Sequence, residues 1–370
     1  MRYRYLLIVG LVAALAAVTS AAAEPFPRPA TGVTPRTHQC YKVDAPPVID
    51  GRLDDEAWNH AVWSDDFLDI RGNDWPRPAF RTRAKMIWDD THLYLAAELE
   101  EPHLQASFTE RDSYIFQLDN DFEMFIDPNG DTHNYFELEM NALNTVWDLL
   151  LTRPYRDGAL ALHGWDIKGL QTAVALEGTL NDPSDTDTGW SLEIAIPFSA
   201  LAEAAGTSCP PETGDYWRIN FSRVQWRFED NGGNYVKSID PETGEPYRED
   251  NWVWSPQGLV NMHYPERWGY IIFADDEPEV EVLDIINERY AIALILYDVY
   301  YLQRDYYEEH GDYALFISDL HWNEQRYATA ELQPLLIGNG QHYQVAVELP
   351  SGGSLWLDET GRSWLQDGWE

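Results

Sequence analysis

The stretch Ile115–Asp148, IFQLDNDFEMFIDPNGDTHNYFELEMNALNTVWD, constrains the fold more than any other. It reads as two strands joined by a turn at Asp127-Pro128-Asn129-Gly130-Asp131. Side chains alternate across a strand, so Phe122, Met124 and Ile126 share one face while Glu123 points the other way. In the second strand Phe136, Leu138 and Met140 lie together, opposite Tyr135, Glu137, Glu139 and Asn141. One face suits a core. The other carries carboxylates, an amide and a phenol, each needing a polar partner if buried. That polar face is where a ligand is expected.

The same alternation recurs along the chain. Ala84–Trp88 and Leu93–Leu99 form a strand pair around Asp89-Asp90-Thr91-His92. Trp190–Ile196 puts Leu192, Ile194 and Ile196 inward and Ser191 and Glu193 outward, and Tyr216–Trp226 sets Trp217, Ile219 and Phe221 against Arg218, Asn220 and Ser222. Trp165–Gly178 and Trp268–Phe273 add further strands. Helices are few: a short one at Asp55–Val62 with Asp54 as its N-cap, and another at Phe198–Ala205 after Pro197. Glu229–Asn251 is long, polar and rich in Gly and Pro, which suits a loop over a site. The pattern predicts a mainly β fold, an antiparallel β-sandwich of jelly-roll type, over residues 40–274.

Asp275-Asp276-Glu277-Pro278 marks a boundary, and residues 275–370 read as a C-terminal α+β segment. Its helix, Glu279–Glu309, is apolar most of the way round between Ala291 and Leu302 and must pack on something. A short helix near Leu315–Leu320 follows, then hairpins at Tyr327–Leu336, His342–Leu349 and Ser354–Leu365.

The other end reads as a leader. Arg2 and Arg4 precede the apolar run Leu6–Val18, and Ala21-Ala22-Ala23 offers a small-residue cleavage site. Residues 1–23 are thus expected to be a cleaved signal peptide, with 24–39 an extended lead-in and the mature protein secreted or periplasmic. No other stretch is long and apolar enough to span a membrane. In an oxidising compartment Cys40 and Cys209, the only two cysteines, could pair or remain separate thiols. Two cysteines exclude a disulfide scaffold and a Cys-rich zinc site.

The formal charge is −38, with 63 acids against 25 basic residues. Such a surface repels nucleic acid and anionic membrane. Lysine is confined to Lys42, Lys85, Lys168 and Lys237. Acid excess with little lysine is expected of a halophilic protein, whose self-repulsion is screened by salt.

Five motifs carry a family resemblance. Val48-Ile49-Asp50-Gly51-Arg52-Leu53-Asp54-Asp55-Glu56-Ala57-Trp58 and Ile87–Leu95 are followed by Asp121–Asp127, Gly189–Pro197 and Trp217–Phe221. In this order they resemble family-9 carbohydrate-binding modules, and the chain is similar to secreted family 9-like proteins. The resemblance implies a sugar-binding β-sandwich, often beside a glycoside hydrolase and with structural calcium. It also implies two sugar-stacking tryptophans. The first would lie six residues before Glu123, where this chain has Gln117, and the second is matched by Trp268.

Sugars offer hydroxyls to charged and amide groups and apolar faces to rings. The expected carbohydrate site is therefore Glu123, Tyr135, Glu139, Asn141, Glu193, Arg218 and Asn220, with Glu137 on the same face. Trp226, Trp252 and Trp268 are the expected rings; Trp75, Trp147 and Trp254 are further candidates. The alternative role for the polar set is an internal network of salt bridges and hydrogen bonds. Asp127, Asn129 and Asp131 space oxygens two apart around Gly130, as a calcium loop would, and equally make an ordinary hairpin turn. No nucleophile elbow, phosphate loop or HExxH motif is present. Carboxylate pairs for a glycosidase are too plentiful to single one out. A non-catalytic carbohydrate-binding protein is the leading expectation, ahead of an enzyme of polysaccharide breakdown and an envelope interaction protein without sugar binding.

Overall fold

The computed structural model describes residues 26–323 and 332–367. The expected leader and the first half of the Tyr327–Leu336 hairpin lie outside the described residues.

Strands β1 (Thr37–Lys42), β2 (Leu68–Asp69), β3 (Thr82–Trp88), β4 (His92–Glu100) and β5 (Asp121–Asp127) come first in the chain. After the predicted turn come β6 (Tyr135–Asn141) and β7 (Val146–Leu151), then β8 (Ala161–Leu162), β9 (Gln171–Glu177) and β10 (Gly189–Pro197). The opening stretch thus supplies parts of three strands, because Asn144 takes a left-handed φ of 60° and turns the chain back at once. Helix α1 (Phe198–Leu201) and β11 (Tyr216–Gln225) follow, then β12 (Phe228–Asp230), β13 (Tyr235–Lys237), β14 (Asp250–Val253) and β15 (Gly269–Ala274).

One sheet runs in the order β8-β7-β6-β5-β11-β15-β1-β3-β4-β10-β9, with β14 beside β11 and β2 beside β14. Strand β1 is its hinge. It pairs in parallel with β15 from Thr37↔Tyr270 to Tyr41↔Ala274, and passes to β3 at Tyr41↔Ile87. The other pairings among the described residues are antiparallel. The sheet curls so that one apolar cluster joins Phe122, Met124, Phe136 and Leu138 to Leu95, Ala97, Trp190 and Leu192 from its far half. This is the sandwich core that the alternation predicts. Each such buried side chain contributes about 1.5–3 kcal/mol.

The Asp50-Gly51 motif is a structural clasp. Gly51 takes a φ of 86°, and a Cβ there would lie 2.5 Å from the Val174 carbonyl carbon. The Glu193 carboxylate accepts the amides of Asp50 and Gly51 at 2.9 and 2.8 Å and Trp58 Nε1 at 2.6 Å. The adjoining helix is one 3-10 turn, Glu56–His60, entered from Asp55 rather than Asp54. The Asp55 carboxylate is spent on the Val48 amide at 2.9 Å.

Helix α2 (Val280–His310) packs on the outer side of the first half-sheet. Val282 and Ile286 meet Tyr270 and Ile272 of β15. Beyond them, Ile292 through Tyr301 join Tyr264 and the four-stranded sheet β16 (Leu335–Gly338), β17 (Tyr343–Glu348), β18 (Ser354–Asp358) and β19 (Ser363–Gln366). A helix covered on several sides needs no polar stripe, which explains its apolar girth. The lead-in also lies here: Phe26 packs on Tyr300 and Tyr301, and Arg28 pairs with Asp305. No helix among the described residues is long and apolar enough to cross a membrane.

Candidate carbohydrate-binding site

Four strands set one row of side chains across the polar face. Ser222 of β11 stands opposite Glu123 of β5, Glu123 opposite Glu139 of β6, and Glu139 opposite Trp147 of β7. The neighbouring row brings Phe125 opposite Glu137. Above these residues is a cavity of about 490 Å³, lined by Glu123, Phe125, Glu137, Glu139, Trp147 and His263 together with Tyr114, Phe116, Gln117, Tyr155 and His163. Glu249 and Asn251 reach it from the end of the long polar loop, as that loop's composition suggested. The loop is not structureless: it forms the β12–β13 hairpin, whose Lys237 Nζ donates to the Gln117 carbonyl at 2.6 Å.

Aromatic rings frame the cavity. Trp147 stacks with His163 at 5.6 Å and with Phe116 at 6.4 Å between centroids. Tyr114 stands edge-on to Trp147 at 4.7 Å, and Tyr155 edge-on to His263 at 4.5 Å. Tyr114 and Tyr155 are each 47% exposed and form the rim, whereas Trp147 is buried in the wall.

The floor is acidic and poorly satisfied. Burial pushes Glu123 up to about 7. Burial and the neighbouring Glu123 also raise Glu137 and Glu139 well above the usual carboxylate range. Asp121, two residues before Glu123 on the same face, is raised by the same causes. Glu123 Oε2, Glu137 Oε2, Asp121 Oδ2, the Ser222 hydroxyl and Trp147 Nε1 are buried without a hydrogen-bond partner. Buried polar atoms are seldom left so, and each orphan costs about 1–3 kcal/mol. Of these, Glu123, Glu137 and Trp147 line the cavity, and polar atoms so placed suit a polyhydroxylated ligand.

Of the ten residues expected to bind sugar, Glu123 and Glu139 line this cavity. Tyr135 supports it from below, its hydroxyl 2.8 Å from His263 Nδ1. The others hold the fold. Asn141 binds the Phe108 carbonyl, the Asp119 carboxylate and the amides of Leu143 and Thr145. Glu193 closes the clasp on the far half of the sheet. Arg218 donates to the carbonyls of Pro265, Glu266 and Trp268. Asn220 exchanges hydrogen bonds with the Ser255 backbone at 2.9 and 3.0 Å. Trp252 is buried in the sandwich core, and Trp268 is buried beside Phe125 and Tyr135 with Nε1 donating to the Met262 carbonyl at 2.8 Å. Trp226 is half-buried, its Nε1 holding the Phe116 carbonyl at 2.8 Å and Lys237 over its ring. The sequence reading missed Phe116, Tyr114, Tyr155 and Glu249. Phe116 and Tyr114 flank Gln117 closely in sequence, which was the available signal.

The Asp127–Asp131 turn is tied by its own side chains. Asp127 accepts the amides of Gly130 and Thr132, Asn129 accepts that of Asp131, and Asp131 accepts that of His133. The second Asp131 oxygen pairs with Arg362 at 3.0 Å, and Thr132 Oγ1 donates to the Gly361 carbonyl. The turn is thus the seat of the C-terminal hairpin. Cys40 and Cys209 are separate free thiols, the second of the two arrangements that the sequence leaves open. Cys40 is buried on the core side of β1, while the Cys209 thiol donates to the Phe198 carbonyl at 3.1 Å.

Fold and cavity together define a β-sandwich with an acidic, ring-framed pocket on one sheet face. Residues 49–211 match the family model described as carbohydrate family 9 binding domain-like, so the likeness carried by the sequence motifs is borne out over that segment. Exoglucanase XynX of Acetivibrio thermocellus is 27% identical over 164 residues, 44% of this chain, and endo-1,4-beta-xylanase A of Thermoanaerobacterium saccharolyticum is 27% identical over 166 residues, again 44%. In each case the match spans 12% of the relative's length. Among solved structures, a putative carbohydrate-binding protein from Bacteroides uniformis superposes with a TM-score of 0.46 at 16% identity, covering 65% of this chain and all of that one. A family 9 module from Caldicellulosiruptor kristjanssonii in complex with cellotriose gives 0.42 at 18% identity, covering 66% of this chain and 97% of that one.

Proposed function

We propose that this is a secreted, non-catalytic carbohydrate-binding protein whose ligand enters the cavity over β5, β6 and β7. The observation that carries the reading is the Glu123–Glu139–Trp147 row at the floor of a ring-framed cavity. Its carboxylates accept sugar hydroxyls, and the exposed rings of Tyr114 and Tyr155 offer apolar faces to pyranose C–H groups. Hydroxyl-rich ligands supply hydrogen bonds to the buried Glu123 and Glu137 oxygens that no protein group satisfies with good geometry. Secretion rests on the leader read from residues 1–23, and N-terminal sequencing of the exported protein tests it.

A glycan array followed by calorimetry on glucan and xylan oligosaccharides tests the binding. Tyr155→Ala and Glu123→Gln are each expected to weaken the best ligand by tenfold or more with the circular dichroism unchanged. Unaltered affinity in both would sink the site. The hydrolase reading has one observation in its favour, the rise of the Glu123 carboxyl to about 7, where a general acid works. Against it, a glycosidase pairs such an acid with an ionised carboxylate, whereas burial and Glu123 raise both Glu137 and Glu139 beside it. Release of reducing sugar from a bound oligosaccharide would decide for the enzyme.

A further inference from the structure

The lining of the sugar cavity is one-sided in charge. Glu123, Glu137, Glu139 and Glu249 face it, and among the described residues its lining holds no arginine or lysine. Other buried acids of this chain meet a guanidinium: Glu101 meets Arg223, Glu266 meets Arg156 and Asp148 meets Arg111. Among the described residues none of the four cavity acids forms an ion pair. Two cations reach residues of the lining without joining it, and both are engaged. Arg156 pairs with Glu266 and Asp157, and Lys237 Nζ donates to the Gln117 carbonyl.

This imbalance bears on the kind of sugar. A hydroxyl both donates and accepts, so a site built for neutral sugars alone mixes donors with acceptors. A carboxylate-lined floor is acceptor-rich, and its complement is an ammonium, with three donors and no acceptor. The spacing fits one. Glu123 and Glu139 face each other across β5 and β6 and bring oxygens within 4.8 Å. Charge-assisted N–H···O bonds are about 2.7–2.9 Å long, so a single nitrogen can reach both. Burial and the Glu123 charge raise Glu137 and Glu139, and a cation among them favours their charged forms.

Two observations apart from the acids point to a ligand that is both cation and sugar. The half-exposed rings of Tyr114 and Tyr155 stand at the rim, and an aromatic face attracts a cation as well as pyranose C–H groups. Trp147 Nε1 is buried in the cavity wall without a hydrogen-bond partner. It can only donate, so it suits a hydroxyl or ring oxygen and has no use for a bare amine.

We propose that the cavity selects amino sugars with a free ammonium, the ammonium lying between Glu123 and Glu139 and the pyranose ring against Tyr114 and Tyr155. This deepens the carbohydrate reading of the cavity and rests on it.

Calorimetry of the full chain with a glucosamine trimer, its N-acetylated form and cellotriose tests the selection. The glucosamine trimer differs from cellotriose in carrying an ammonium for one hydroxyl on each ring. Titration in about 1 M sodium chloride, where the screening length is about 3 Å, suppresses attraction of a cationic glycan to the acidic outer surface. At a pH where its amines are charged, the glucosamine trimer should bind at least tenfold tighter than either neutral trimer. The preference should shrink at least threefold in Glu139→Gln and in Glu249→Gln. Glu249 is only half-buried at the end of a loop, so its variant keeps the test open if Glu139→Gln fails to fold. Cellotriose bound as tightly as the glucosamine trimer overturns the proposal and leaves the carbohydrate site standing. A preference undiminished in both variants also overturns it, since the amine is then held elsewhere. Failure to bind any of the trimers, or any glycan of an array, removes the carbohydrate reading together with this one.

Discussion

Glu123 and Glu139 face each other across β5 and β6, both buried, with the Ser222 hydroxyl opposite Glu123 on β11. Like charges directly opposite in an antiparallel pair destabilise it by roughly 0.2–1 kcal/mol, and burial enlarges the penalty. Burial and Glu123 hold the Glu139 carboxyl well above the usual carboxylate range, and Glu139→Gln removes that cost while putting an amide donor beside its partner. At pH 8 this variant should be more stable than wild type by about 1 kcal/mol, or about 1–2 °C in melting temperature for a chain of this length. Its oligosaccharide affinity should fall at the same time. Stability bought against function is the mark of a binding site, and a destabilised variant with intact binding would assign Glu139 to the fold.

The tryptophans divide the other way. Trp268 is fully buried, packed on Phe125 at 5.5 Å and Tyr135 at 5.2 Å, and its Nε1 is satisfied. Trp268→Ala should cost about 3–5 kcal/mol by urea denaturation, the usual range for a core tryptophan. Trp226 is half-buried, and Trp226→Ala should cost much less while loosening the Phe116 carbonyl that it holds. If Trp268→Ala folds with wild-type stability and merely loses sugar, the ring is a binding surface after all.

That contrast shows what the sequence made legible. Period-two alternation put Phe122, Met124, Phe136 and Leu138 in the core and Glu123 and Glu139 on the opposite face, because facing is a local property of one strand. It could not show that Trp147 joins Glu139, since that depends on the register of a third strand begun by the Asn144 turn. Arg218 and Asn220 share the polar alternation of Glu123, yet they meet the Trp268 and Ser255 backbone, and no periodicity records which segment covers a strand. The Asp127–Asn129–Asp131 spacing serves turn amides as well as it would an ion, and no spacing records that Asp131 meets Arg362, more than two hundred residues on.

Two thiols should be titratable. Burial raises the Cys40 thiol far above its ordinary value and the Cys209 thiol to about 11, so both react slowly in the native state. Unfolded in guanidinium without reductant, the chain should release two equivalents of thiol to Ellman's reagent. A count of zero, with altered mobility on a non-reducing gel, would restore the Cys40–Cys209 bridge.

Acid should unfold the protein through buried histidines. Burial lowers His38 to about 4, against the Asp65 carboxylate and the Val62 carbonyl, which favour its charge. Burial and Arg156 lower His263 to about 3. Each is neutral in the fold while the unfolded form takes a proton below about 6.5, so the unfolded state binds more protons as pH falls. Their contribution is therefore complete above about pH 7 and lost progressively between about pH 6.5 and pH 4. His38→Gln should flatten the decline of melting temperature with acid over that window, and an unchanged slope would place the acid sensitivity elsewhere.

The Glu101–Arg223 pair offers the sharpest test of the polar interior. Arg223 Nη2 meets Glu101 Oε2 at 2.9 Å with both side chains buried, and the same oxygen accepts Asn120 Nδ2 at 2.9 Å and Gln225 Nε2 at 3.0 Å. Arg223 also donates to Thr82 Oγ1 and Gln225 Oε1, so the pair ties β3, the end of β4, β11 and the entry to β5 together. A buried pair with its remaining donors satisfied is worth little against an apolar replacement, but breaking it strands a charge. Glu101→Ala alone should cost about 3–5 kcal/mol, and Arg223→Met alone a similar amount. The double variant should recover much of that loss, since neither charge is then left behind. Additive losses in the double-mutant cycle would mean that the two side chains act separately, and that the neighbouring amides rather than the ion pair hold this end of the sandwich.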